Sequence, residues 1–187
     1  MRLEIKKYGD PILRVKGKQI ETVDDEIRAL AADMLETMHA ANGVGLAAQQ
    51  VGQALQLTVL DVSQVEDRPS TMTLNGAVVE DLSTAMPLIL LNPVLRLGDE
   101  KDSGTEGCLS FPDITSEIER AVSVEVEAET LEGEKIHIDA SGLLSRALQH
   151  EADHLNGILF IDRMSAASKA SLSSKLKRLQ KETQQRM

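Results

Sequence analysis

Two histidines, His150 and His154, stand four residues apart in the run Gln149-His150-Glu151-Ala152-Asp153-His154. On an α-helix that interval is about one turn, so both imidazoles leave the same face. The flanking residues support a helix from about Gly142 to Asn156. Leu143, Ala147, His150 and His154 recur at helical spacing, and Leu144, Leu148, Glu151 and Leu155 form the adjoining stripe. Together the stripes mark a helix buried on most of its circumference. Asn156-Gly157 supplies a common C-terminal stop. Ionisable groups on such a face are costly unless they are paired or bind a metal. The rest of the chain must therefore wrap this helix and bring partners to it.

H-E-x-x-H gives two metal ligands and a carboxylate beside them. A catalytic site of this kind takes a third protein ligand and keeps one position open. Cys108, the only cysteine, lies in Glu106-Gly107-Cys108-Leu109-Ser110 and is the best candidate. A thiolate with two imidazoles suits zinc or a similar divalent ion. Such an ion makes water acidic enough to ionise near neutral pH. Glu151 follows a ligand but is turned about 100° around the helix, so it can face the reacting water without ligating. The pattern predicts a metal-assisted hydrolase.

The remaining sequence predicts a single domain over residues 1–187. Its class is α+β: antiparallel strands packed around a central metal-binding helix, with a C-terminal helix. A helix is expected over Thr22 to Ala41, capped by Thr22 or Asp24 and stopped by Asn42-Gly43. Strands are expected over Leu57 to Val62, Leu88 to Leu91, Val122 to Ala128 and Ile136 to Ile138. Asn75-Gly76 predicts a protruding hairpin between Thr71-Met72-Thr73-Leu74 and Ala77-Val78-Val79-Glu80, read as surface elaboration. A last helix starts near Ser168, with Leu172, Leu176 and Leu179 on one face. His39 suits a helix C-terminus, and His137, between Ile136 and Ile138, is expected to face solvent.

One cysteine excludes an internal disulfide and suggests a reducing compartment. The N-terminus lacks the apolar stretch of a secretory signal, and no apolar run approaches bilayer-spanning length, so a cytoplasmic protein without a membrane partner is expected. A net charge of −10 argues against DNA binding. Residues 168–187 run the other way: six cations against Glu182 give a local +5 on an otherwise acidic chain.

Three segments together resemble peptide deformylases: Gly43-Val44-Gly45-Leu46-Ala47-Ala48-Gln49-Gln50, Glu106-Gly107-Cys108-Leu109-Ser110, and Gln149-His150-Glu151-Ala152-Asp153-His154. The resemblance runs from about residue 4 to the last helix. It implies removal of the N-formyl group from the initiator methionine of nascent chains, with release of formate. It also implies that Cys108, His150 and His154 hold one divalent ion, Fe²⁺ with Zn²⁺ or Ni²⁺ as substitutes. Glu151 would be the acid/base, and Gln50 and the Leu109 N–H would hold the oxyanion. Gly43, Gly45 and Gly107 would let the backbone approach a bound N-formylmethionyl peptide. By position in the family's motifs, Val44, Gly104, Leu143 and Ala147 would line the methionine pocket. Arg146 stands where several relatives carry an apolar residue, and Thr115 where some carry an arginine. Arg120 matches a family arginine, expected to pair with Asp153 behind the helix. The basic C-terminal helix is a candidate ribosome contact. Two rivals remain: a metallopeptidase of the H-E-x-x-H type, drawing a ligand from downstream such as Asp162, and a non-enzymatic metal-binding protein.

Overall fold

A computed structural model describes residues 1–187. Helix α1 spans Asp25–Ala40, and the Asp24 carboxylate caps it by accepting the Ile27 N–H at 2.9 Å. Its last turn carries His39, whose Nε2 lies 3.0 Å from Asp61. Nine strands follow in chain order: β1 Gly45–Ala47, β2 Leu57–Leu60, β3 Ser70–Leu74, β4 Ala77–Val78, β5 Leu88–Leu97, β6 Lys101–Cys108, β7 Phe111–Ala121, β8 Ser123–Glu129 and β9 Lys135–Gly142. Helix α2, Leu143–Leu155, carries the histidines, and α3 (Ala166–Ser171) and α4 (Ser173–Gln185) close the chain.

Seven strands form one sheet in the order β1-β2-β5-β8-β9-β3-β4, and every pairing described in it is antiparallel. β6 and β7 form a separate hairpin. Helix α2 lies against both, and all its residues except Ala152 and Asp153 are buried. The expected architecture of antiparallel strands around this helix is therefore observed. Leu144 and Leu148 pack into a core with Leu60, Leu90, Val126 and Ile138 from the sheet. Tyr8, Phe111 and Phe160, the only Phe, Tyr or Trp side chains in the chain, converge in a second cluster. Leu176 of α4 is buried in that cluster, so the C-terminal helix is anchored on its apolar stripe.

Three features differ from the expectations or go beyond them. The Asn75-Gly76 hairpin does form, but it is not a detached protrusion. β3 pairs with β9 from Ser70↔Gly142 to Leu74↔Ile138, and Met72 is buried in the main core. Its approach segment also caps α2: the Ser70 hydroxyl accepts the Leu144 N–H at 2.8 Å, and the Pro69 carbonyl accepts the Leu143 N–H at 3.2 Å. Gly142 turns the chain there at φ +71°, and a side chain on it would collide with the Pro69 carbonyl. The second, for which no strands were expected, is the β6–β7 hairpin. β6 reads Lys-Asp-Ser-Gly-Thr-Glu-Gly-Cys, with almost no apolar signal, because it exposes most of its length. The third is the last helix, which is interrupted at Leu172 to give α3 and α4.

Candidate active site

Cys108 ends β6, where the pairing register with β7 shifts between Gly107 and Cys108. That irregularity re-aims the thiol toward α2. His150 and His154 face it from one side of the helix, their rings 5.0 Å apart. Ligating atoms of Cys108, His150 and His154 all lie within 4.8 Å of one another, and Cys108 Sγ is 3.3 Å from His154 Nε2.

His150 is oriented by a residue that the sequence reading did not single out. Glu106 Oε1 accepts the His150 Nδ1–H at 2.9 Å, which leaves Nε2 free to ligate. Glu106 also takes both arms of Arg120 at 2.9 Å and Arg146 Nη1 at 2.9 Å. Burial opposes its charge, but hydrogen bonds from His150 and Arg120 outweigh burial and hold its carboxyl at about 2. A signal was present in the sequence. Glu106 stands two residues before Cys108, and alternate residues of a strand share a face. Arg120 continues the chain of charges to Asp153 at 2.6 Å, as expected, and Arg163 reaches Asp153 from outside at 2.9 Å.

Glu151 is buried beside the cluster. Burial drives its carboxyl up to about 7, against the opposing pull of the His150 and Arg120 charges. Its Oε1 has no hydrogen-bond partner within the protein. A buried, unsatisfied carboxyl oxygen next to a cavity invites water or ligand. Burial also pushes His154 well down, toward the neutral form that ligates. For His150, burial is outweighed by hydrogen bonds to Cys108 and Glu106, and the net shift is upward. A divalent cation reverses that preference, because ligation requires the free imidazole lone pair.

Gln50 sits in a short 3₁₀ turn, Ala48–Val51, after β1. Its Oε1 accepts the Ala47 N–H at 3.0 Å, and its Nε2 donates to Ser110 Oγ at 3.1 Å and to Cys108 Sγ at 3.6 Å. The amide is thus pinned with its NH₂ beside the thiol.

Gly43, Val44, Gly45, Gln50, Gly107, Cys108, Leu109, Leu143, Ala147, His150 and Glu151 all line one cavity of about 430 Å³. His154 lies deeper, 1% exposed. Thr115 and Arg146 also line the cavity. Gly104 does not; it lies against the Arg146 guanidinium in the adjoining cleft. The glycines differ in what they permit. A Cβ on Gly45 would meet Glu151, and one on Gly43 would meet Leu109, whereas one on Gly107 would make ordinary contact with Thr115.

A thiol, two imidazoles of which one is fixed by a carboxylate, a buried carboxyl and a pinned amide around one cavity suit a mononuclear metallohydrolase. The donor set fits one divalent ion, with Glu151 beside it outside that set. Comparison with known proteins makes the assignment specific. The family model for polypeptide deformylase matches residues 2–170. The peptide deformylase of Methylacidiphilum infernorum is 44% identical over 181 residues, covering 97% of this chain and 94% of that one. Among solved structures, peptide deformylase from Ehrlichia chaffeensis superposes with a TM-score of 0.82 at 34% identity, covering 100% of both chains. Peptide deformylase from Thermus thermophilus gives 0.80 at 35% identity, covering 97% of this chain and 99% of that one. The chain belongs to the peptide deformylase family.

Proposed function

We propose that this protein removes the formyl group from N-formylmethionyl peptides, and that Cys108, His150 and His154 hold its metal ion. The observation that carries this reading is the Cys108–His150–His154 cluster with Glu151 buried beside it in a cavity. The ion is Fe²⁺, with Zn²⁺ or Ni²⁺ as substitutes, a choice that the thiolate and imidazole donors suit. When bound it supplies Lewis acidity, both to ionise water and to polarise the formyl oxygen.

The chain's own groups do the rest. Glu151 accepts the proton of water as the new C–O bond forms at the formyl carbon. Negative charge grows on the formyl oxygen, and Gln50 Nε2 and the Leu109 N–H donate to it. Of the two hydrogen bonds that the Gln50 NH₂ donates, the long one to Sγ is the weaker, so that hydrogen is the one redirected. Glu151 then returns its proton to the methionine nitrogen as the C–N bond breaks. The products are a free amine and formic acid, which ionises to formate, and Glu151 ends as it began. Burial, which raises the Glu151 carboxyl above its usual value, suits it to take up and return a proton in this cycle. Val44, Leu143 and Ala147 form the apolar wall for the methionine side chain, and Gly43 and Gly107 border the peptide's path.

Residues 1–187 act as one domain, which the family match over residues 2–170 supports. No helix is long and apolar enough to cross a membrane, and we place the protein in the cytoplasm, where nascent chains are made. Lys175, Lys177, Arg178 and Lys181 are exposed on α4, while Leu176 fixes the helix to the body. That basic face is our candidate ribosome contact, and reversing those four charges should weaken co-sedimentation with ribosomes at low salt. Equal sedimentation would remove the contact.

The metallopeptidase reading loses its downstream ligand. Asp162 is engaged by both arms of Arg14 and lies outside the cluster. A purely metal-binding protein has no use for a buried carboxyl without a hydrogen-bond partner in the cavity beside its ligands. The deciding assay compares formyl-Met-Ala with unformylated Met-Ala-Ser, with formate and free amine measured separately. Formate release from the first without cleavage of the second is expected. The reverse would establish a peptidase, and neither would establish a binding protein.

A further inference from the structure

One cation on the cavity wall has no role in the chemistry above. Arg68 comes from the segment leading into β3 and lines the same cavity as Glu151 and Cys108. It also lines a neighbouring cleft, sharing Thr105, Leu143 and Arg146 between the two spaces. Arg68 therefore sits where the active-site cavity opens into that cleft. Its Nη1 donates to the Thr105 carbonyl at 3.1 Å, and that is the one hydrogen bond its five N–H donors make within the protein. It forms no ion pair. The other arginine there, Arg146, differs: Glu106, Asp102 and the Ile118 carbonyl absorb its guanidinium.

Arg68 is also held in place. Its two successors in the chain anchor the start of α2, Pro69 through its carbonyl and Ser70 through its hydroxyl. A guanidinium fixed at its base, bonded once to a carbonyl and otherwise unpartnered, is preorganised to accept a carboxylate. The surrounding charge makes that choice selective. Away from the proposed metal ligands, Arg146 is paired with Glu106 and Asp102, so Arg68 is the one arginine bordering the two spaces without an acidic partner.

We propose that Arg68 is a specificity-determining residue that selects formylated peptides bearing an acidic side chain downstream of the methionine. The proposal rests on the deformylase reading. The formyl group and methionine occupy the deep end, beside Glu151, Leu143 and Ala147, and the following residues leave over Arg68 toward the cleft.

The test uses three C-terminally amidated peptides, formyl-Met-Ala-Asp, formyl-Met-Ala-Ser and formyl-Met-Ala-Lys, on the metal-loaded full chain. Wild type should prefer Asp over Lys by about fivefold in kcat/KM at low salt, mostly through KM, and the preference should shrink as salt rises. Arg68→Gln should bring the Asp/Lys ratio close to one, Arg68→Glu should invert it, and Arg68→Lys should keep most of it. Each variant's Ser peptide is its own reference, so a general loss of activity does not imitate a loss of selectivity. Ser-peptide turnover with an Asp/Lys ratio that is the same in wild type, Arg68→Gln and Arg68→Glu would overturn the proposal alone. Failure of wild type to cleave the Ser peptide would overturn the deformylase reading and this proposal with it.

Discussion

A methyl group on Gly45 would lie 2.5 Å from Oε2 of Glu151, with Cδ and Cγ of the same side chain at 2.8 and 2.9 Å. The β1 backbone is therefore the wall against which the buried carboxyl rests. Gly45→Ala should displace Glu151 without touching the three proposed ligands. The expected outcome is a fall in kcat of roughly 10²-fold, the lower range for losing a positioned acid/base, with metal content unchanged. Overpacking should also cost about 1–3 kcal/mol in unfolding free energy. Steady-state kinetics and metal analysis on one preparation check this, and a normal kcat would show that Glu151 tolerates being moved.

Glu106 binds His150, Arg120 and Arg146 at once. Glu106→Ala leaves two buried guanidiniums without their shared counter-charge, which should cost roughly 3–5 kcal/mol of stability. Glu106→Gln keeps the shape and one acceptor, so it should fold better while holding the metal about 10–100-fold more weakly. Chelator competition measures that affinity without recourse to activity. Wild-type metal affinity in Glu106→Gln would mean that the His150 contact does not matter to the ion.

Gln50→Ala removes one proposed oxyanion donor. A single preorganised donor contributes roughly 3 kcal/mol in the transition state, so kcat should fall by about 10²–10³-fold with little change in KM. A variant with unchanged kcat on a formyl-Met peptide takes Gln50 out of the mechanism.

Asp162 ties the N-terminal segment to the chain after α2 through Arg14, and it also accepts the Leu159 N–H at 3.0 Å. Burial raises its pKa, but the Arg14 and Leu159 hydrogen bonds outweigh burial and hold it below the usual value. A depressed folded pKa gives stability that is present above the unfolded value of about 3.9 and is lost as pH falls through the folded one. Asp162→Asn should therefore cost about 1 kcal/mol at neutral pH, a figure limited by the pair's exposure. The gap between wild type and variant should close below about pH 4. Chemical denaturation across that range reads it, and a gap that does not vary with pH would contradict the assignment.

Some of this arrangement was legible in the sequence. The α2 helix was readable because its two apolar stripes and the His150–His154 spacing agree on one period. Cys108 was readable because it is the chain's only thiol, and Gln50 through its motif. The β6–β7 hairpin was not, since a strand of Lys, Asp, Ser, Gly and Thr lying on the surface carries no alternation. The role of Glu106 is not legible from its place two residues before Cys108 alone, because a carboxylate's partners come from tertiary contacts: Arg120 on β7, and Arg146 and His150 on α2. The same limit applies to Arg68 and Ser70. The Asn75-Gly76 turn was legible, whereas the docking of β3 on β9 depends on a pairing 70 residues away in sequence, as between Thr71 and Ser141.

Glu151→Ala carries the central claim, that a carboxyl which does not ligate the metal moves the proton in amide hydrolysis. Metal stoichiometry, thermal unfolding and kcat on a formyl-Met peptide should be measured on one preparation of this variant. The account predicts a folded protein holding about one ion per chain, since Cys108, His150 and His154 remain, with kcat lowered at least 10²–10⁴-fold, the usual range for general acid–base catalysis. A folded, metal-loaded variant with near-normal kcat would contradict it.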